Sequence, residues 1–261
     1  ESEGIDLSHE AQAQANAKPV SWADVFASPE PVIIGCVLNF MQAFTGVNSV
    51  VMYSTTIFGF AGFNDSILAT GLFGIVNFSA TMFSANITDR YGRKVLLLSG
   101  TCIMFVSLVA LSSSLLGGDG GAVAIVAVIS VLTYISGFAV GLGAVVWPML
   151  SELMRNRVRG KAVSLFLGVN WGSNFIVAMS TLLAINSLGG VSDSMSDEEA
   201  SLAKKRGVGY LYLLFSCVTF VSVVYIAIKV PETKGKVPED FISGDDRISL
   251  LIDKSDTIEC A

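Results

Sequence analysis

The chain has 261 residues and a formal net charge of -6, with 52% hydrophobic and only 15% charged residues, and its mean hydropathy is +0.65. Soluble globular domains carry about 25% charged residues, so an ordinary soluble fold is excluded. Four cysteines, three of them in apolar runs, do not form a disulfide framework.

Residues 1–30 are polar, begin at Glu1 rather than Met and contain no cleavable signal peptide; the chain is expected to be a fragment. Within this stretch Ser21-Trp22-Ala23-Asp24 reads equally as the start of a short interfacial helix or as unstructured linker. Six apolar runs follow: Pro31–Phe60, Ser66–Ile87, Val95–Leu116, Ala122–Trp147, Ala162–Ile185 and Gly207–Lys229. Each reaches the length of about 20 residues that a membrane helix needs. The first exceeds it, so a tilt or a break is expected there. Turn signals separate the runs, among them Ala61-Gly62-Phe63-Asn64-Asp65 and Gly117-Gly118-Asp119-Gly120-Gly121. The fold class predicted is an all-α, multi-spanning membrane protein in a lipid bilayer.

An even number of crossings puts both termini on one side. That side carries Arg90, Arg93 and Lys94 in one loop and Arg155, Arg157, Arg159 and Lys161 in the next. The positive-inside rule makes it cytoplasmic. Lys204, Lys205 and Arg206 dissent on the other side, offset by Asp193, Asp197, Glu198 and Glu199.

Amides lie deep in the apolar runs: Gln42, Asn48, Asn77, Asn170 and Asn174, with Trp171 beside them. Buried amides are expensive in hydrocarbon unless they find partners. They can glue helices together, or they can line a lumen that hydrogen-bonds a polyhydroxylated solute. On an unbroken helix Gln42 and Asn48 sit about 120° apart, and Thr45-Gly46 between them is a plausible break. Asn170 and Asn174 share a helix face, as do Ala139, Gly143 and Trp147 at i, i+4 and i+8. No metal cluster, cofactor site or nucleophile–base pair has usable spacing, and no basic patch suits nucleic acid. An intramembrane enzyme would need ionisable groups deep in the runs, and they hold none.

Four stretches together resemble the sugar porter family of the major facilitator superfamily. They are Gln42-Ala43-Phe44-Thr45-Gly46-Val47-Asn48 with Tyr53-Ser54-Thr55, then Asp89-Arg90-Tyr91-Gly92-Arg93-Lys94. The third runs from Gly141 and Gly143 through Trp147, Glu152 and Arg159 to Asn170, Trp171 and Asn174, and the last is Pro231-Glu232-Thr233-Lys234-Gly235. The resemblance implies a twelve-helix carrier of which this chain supplies the C-terminal six-helix bundle, helices seven to twelve. Residues 1–30 are then the cytoplasmic linker, 31–229 the transporter half and 230–261 the cytoplasmic tail, and the partner is the absent N-terminal half. It implies that Gln42, Asn48, Asn77, Trp147 and Asn174 contact a monosaccharide, a hexose such as glucose, with Tyr53 and Gly46 gating. It implies a cytoplasmic ion-pair network of Asp89, Arg90, Arg93, Glu152, Arg159 and Glu232, and a plasma-membrane location. A membrane sugar sensor of the same fold is the alternative. Departures from the family pattern at Ala43, Ala139, Ala144 and Val146 remove hydrogen-bonding groups and prolines that break helices. The tail Asp246-Arg247-Ile248-Ser249-Leu250-Leu251 resembles a sorting signal read by endocytic adaptors.

Overall fold

The computed structural model describes residues 21–60, 66–118, 120–191 and 196–234. The tail Asp246–Leu251 that resembles a sorting signal lies outside these residues. Almost everything described is helical: α1 Trp22–Phe26, α2 Pro29–Phe44, α3 Val47–Phe60, α4 Ser66–Tyr91, α5 Arg93–Leu116, α6 Gly121–Phe138, a π-helical segment Ala139–Gly143, α7 Ala144–Leu153, α8 Arg159–Gly189 and α9 Asp197–Lys229. A backbone in lipid must satisfy its own polar groups, and helices do this within one segment.

Among the described residues, five helical stretches are long and apolar enough to cross a membrane: Pro29–Gly59, Arg93–Leu116, Gly121–Leu153, Arg159–Gly189 and Asp197–Lys229. The remaining expected run, Ser66–Ile87, lies in α4, a helix of 26 residues, about 39 Å long at 1.5 Å per residue. Large apolar side chains point outward around the bundle, including Phe175, Leu183 and Ile228, each about 70% exposed (68%, 72% and 71%). An apolar perimeter of this extent is what a multi-pass membrane protein presents to lipid or to another part of its assembly.

Sequence punctuation sets the helix ends. The short helix α1 forms, with Ser21 and Asp24 in a reciprocal capping box. Ser196 and Glu199 build another at the start of α9. Pro sits in the first turn of α2, where its missing N–H goes unused. Gly190 ends α8 in the left-handed conformation.

α5 is the central strut, packed along α6 and α9, while α2 packs on α8 and α8 on α9. Its contact with α6 is bare backbone on backbone. A Cβ on Gly100 would lie 2.6 Å from both the Gly137 carbonyl oxygen and the Gly141 Cα. Small residues of this kind let membrane helices approach closely. The core beneath holds Leu97, Met104, Leu108, Tyr134, Leu142 and Tyr212, all fully buried.

Two places depart from regular helix. Between α2 and α3 the chain breaks at Thr45 and at Gly46, whose φ is +84°. This break was expected from the residue types. A side chain at Gly46 would also collide with the Phe215 ring. The second departure is the π segment Ala139–Gly143. Nothing in the residue pattern forecasts it: a regular helix ending near Trp147 was expected, whereas the helix widens at 139–143 and then continues to Leu153, through Pro148. The prolines missing at Ala144 and Val146 therefore do not leave this crossing regular.

Candidate functional site

The break in the first crossing turns Gln42 and Asn48 toward the same neighbours. Gln42 is buried on α2 and donates Nε2 to the Leu142 carbonyl in the π segment at 2.7 Å. A carbonyl can only accept, so this bond fixes the Gln42 amide with Oε1 facing the other way. There Asn170 Nδ2 donates to it at 2.7 Å. Asn170 Oδ1 in turn accepts from Asn174 Nδ2 at 3.0 Å. Asn174 Oδ1 accepts from Asn48 Nδ2 at 2.7 Å. Four amides from α2, α3 and α8 thus form one directional chain that ends on a backbone carbonyl. It runs from buried Gln42 and Asn170 through half-buried Asn174 to exposed Asn48. Every amide uses one N–H within the chain, and the second N–H of each, with Asn48 Oδ1, has no partner among the described residues. Chained hydrogen bonds polarise one another and stiffen the array.

The break itself is pinned. Thr45 Oγ1 donates to the Gln42 carbonyl at 2.7 Å, and Tyr134 OH donates to the Thr45 carbonyl at 3.0 Å. Tyr53 lies on α3, half-buried, and packs against the core. Trp147 is half-buried on α7, past the π segment. Asn77 is half-buried on α4, and its side chain joins none of these bonds. Trp171, beside Asn170, is 71% exposed and points away from the chain's interior.

The charged residues gather where α4 meets α5. Arg93 donates from Nε and Nη2 to Glu152 Oε1 at 3.2 and 2.9 Å. The other carboxylate oxygen of Glu152 accepts from Thr233 Oγ1 at 2.6 Å. Glu232 does a different job. Its carboxylate accepts from the backbone N–H groups of Arg93 at 2.9 Å and Lys94 at 3.2 Å, the first turn of α5. The residue preceding α5 is Gly92, at φ +91°, with no side chain to cap it. Glu232 supplies that cap from the far end of the chain, and its charge complements the positive end of the helix dipole. A Cβ at Gly92 would lie 2.7 Å from Glu232 Oε2, so the approach requires glycine. Lys94 Nζ donates to the Ala227 carbonyl at 2.9 Å and Lys234 Nζ to the Arg90 carbonyl at 2.7 Å, so the Pro231–Lys234 segment is tied down at several points. The Arg90 side chain is exposed. Arg159 is partly buried, with Nε unpartnered among the described residues. The Asp89 side chain lies outside the described set.

Asn170 was legible as one of the deep amides but not as a sugar contact, and Thr233 and Tyr134 had no place in these clusters. Asn170 carried a signal, since an amide four residues from Asn174 shares its face. Thr233 sat unremarked inside a motif. Tyr134 looked like one more aromatic in an apolar run.

The profile of the sugar (and other) transporter family matches residues 2–241. Plastidic glucose transporter 4 of Arabidopsis thaliana is 34% identical over 242 residues, covering 90% of this chain and 40% of its own. Facilitated glucose transporter member 3 of Rattus norvegicus is 31% identical over 239 residues, covering 90% and 45%. The structure of the proton:xylose symporter XylE bound to 6-bromo-6-deoxy-D-glucose superposes with a TM-score of 0.66 at 27% identity, over 80% of this chain and 42% of that one. The chain spans less than half the length of each of these relatives. Matched over nearly all its length, and folded as the transporters of the major facilitator superfamily are, the chain belongs to the sugar (and other) transporter family.

Proposed function

We propose that this chain is the C-terminal six-helix half of a carrier that moves a monosaccharide, a hexose such as glucose, by alternating access. The observation that carries the reading is the uncharged amide chain from Gln42 to Asn48, opening to the surface at Asn48. Neutral amides with spare N–H groups suit hydroxyls, and no charge in them favours an ion. The named substrates of the relatives, glucose and xylose among them, agree with this class. In this reading Gln42, Asn48, Asn77, Trp147 and Asn174 contact the sugar, and Trp147 offers its ring to the apolar face of a pyranose.

α3 is the moving gate, hinged at Gly46 and closing through Tyr53. Arg93, Glu152 and Glu232, with Asp89, Arg90 and Arg159, form the cytoplasmic lock, intact in one state and broken in the other. A contact present in one state only biases a two-state balance. Both termini face the cytoplasm, α4 is the remaining crossing, residues 1–30 link to the N-terminal half, and the tail after 229 faces endocytic adaptors at the plasma membrane.

The test is uptake of labelled glucose and fructose by the full-length protein in a cell without its own sugar carriers. Saturable uptake is expected, abolished by Gln42→Ala or Asn48→Ala. Undiminished uptake in both variants sinks the site. A proton uncoupler in the same assay separates symport from facilitated diffusion.

A further inference from the structure

Behind the break at Gly46, α9 presents two aromatic rings one turn apart. Phe215 fills the space beside Gly46, where any side chain would collide with its ring. Tyr212 lies three residues earlier on α9, its ring centroid 6.3 Å from that of Phe215, and is fully buried. Its hydroxyl has Ser49, Tyr53 and Tyr134 for neighbours. Tyr134 commits its own hydroxyl to the Thr45 carbonyl. Tyr212 OH and Ser49 Oγ, by contrast, both lack a hydrogen-bond partner among the described residues, although both residues are buried. Each hydroxyl can donate and accept, so two groups able to bond lie close together without bonding. Buried polar groups are nearly always paired, so the unpaired state is a cost that this conformation carries. The two hydroxyls also differ in mobility. Ser112 Oγ on α5 donates to the Gly209 carbonyl at 2.8 Å, one turn before Tyr212, and fixes α9 to the central strut. Ser49 belongs to α3, three residues past the positive-φ glycine at 46. At 1.5 Å per residue it lies about 4.5 Å beyond that hinge, so a swing of about 15° carries it roughly 1 Å. Tyr53, four residues further, shares its helix face.

We propose, resting on the reading of α3 as the gate of a sugar site, that Tyr212 is a positioning residue of that gate, its hydroxyl bonding Ser49 Oγ only when α3 closes. The bond is missing in the conformation that keeps the Arg93–Glu152 pair, so it stabilises the opposite end state. α9 thereby acts on the gate without touching the amide chain: Phe215 leaves room for glycine alone at the hinge, and Tyr212 supplies the catch one turn beyond it.

The test uses the full-length protein in detergent micelles, with spin labels on Thr56→Cys and Lys204→Cys in a background without other reactive cysteines. Both positions are exposed, one on α3 and one on α9, and electron–electron distance measurements between them give the ratio of closed to open α3. Tyr212→Phe and Ser49→Ala are each expected to lower that ratio about five-fold or more, with or without sugar. The double variant is expected to lower it no further than either single one, because both remove the same bond. An unchanged ratio in Tyr212→Phe overturns the proposal, and a double variant that falls well below both single ones overturns the pairing. A merely structural role for the hydroxyl is read separately, from the thermal midpoint of the empty protein. In Tyr212→Phe that midpoint is expected to hold or rise, since the group removed is unpaired. A lower midpoint means the hydroxyl is already bonded, to protein or to water, and overturns the proposal. Should Tyr212→Phe fail to fold, Ser49→Ala leaves α9 untouched and is read by the same two signals. Saturating D-glucose is expected to raise the closed fraction of the wild type. Wild-type distances that ignore D-glucose count against the sugar site, while the ratios measured without sugar still decide whether Tyr212 holds the gate.

Discussion

At the scale of single residues, the break at Thr45 and Gly46 rests on one hydroxyl. Helix interruption leaves the Thr45 carbonyl in need of a donor, and Tyr134, fully buried, provides it. Tyr134→Phe keeps the ring and strands that carbonyl. An unsatisfied buried acceptor costs about 1–3 kcal/mol, so the unfolding midpoint of the full-length protein in detergent should fall, by roughly 2–4 °C for each kcal/mol lost. An unchanged midpoint would mean the break stands without the tyrosine. Much at this scale was legible. Gln42, Asn48, Asn170 and Asn174 announce themselves because an amide in an apolar run must have a partner. The order of their bonds was not legible, because it is dictated by the Leu142 carbonyl. A backbone group of that kind leaves no mark on a sequence.

At the scale of elements, the two interruptions differ in how visible they were. Gly46 advertised the first by residue type. The second falls in Ala139-Val140-Gly141-Leu142-Gly143, which reads as ordinary apolar helix; what sets it apart is tertiary, since Gly141 abuts Gly100 and the Leu142 carbonyl accepts from Gln42. The face expected for Ala139, Gly143 and Trp147 assumed α periodicity, and the π segment removes that assumption. The start of α5 makes a similar point. The Pro231–Lys234 stretch was read as part of an ion-pair set, yet Glu232 engages backbone N–H groups. Glu232→Gln retains a side-chain acceptor and loses the charge that faces the helix dipole. A loss of about 0.3–1 kcal/mol is expected, with a larger loss for Glu232→Ala, read from thermal unfolding at low and high salt. Equal stability of Glu232→Ala and wild type would show that the cap contributes nothing.

At the scale of the molecule, the apolar runs marked the crossings because hydrocarbon thickness sets a length that sequence can meet or miss. They could not say which exposed apolar faces meet lipid and which meet protein, since both partners reward the same side chains. Exposed Asn48 marks a place that lipid alone would not favour. If the missing partner is the N-terminal half, the 261-residue chain reconstituted in liposomes takes up no sugar above background, while the full-length protein does. Saturable uptake by the shorter chain would show that these helices suffice.

The amide chain has a kinetic corollary. On the proposed reading of the chain as a sugar site, its members are already bonded to one another before any guest arrives, so a hydroxyl that takes one of the bonded groups at Gln42 or Asn174 exchanges one hydrogen bond for another. The many bonds visible in such a complex then add little net free energy, and dwell time stays short. A lining that is content when vacant releases its cargo readily, which favours rapid turnover over tight capture.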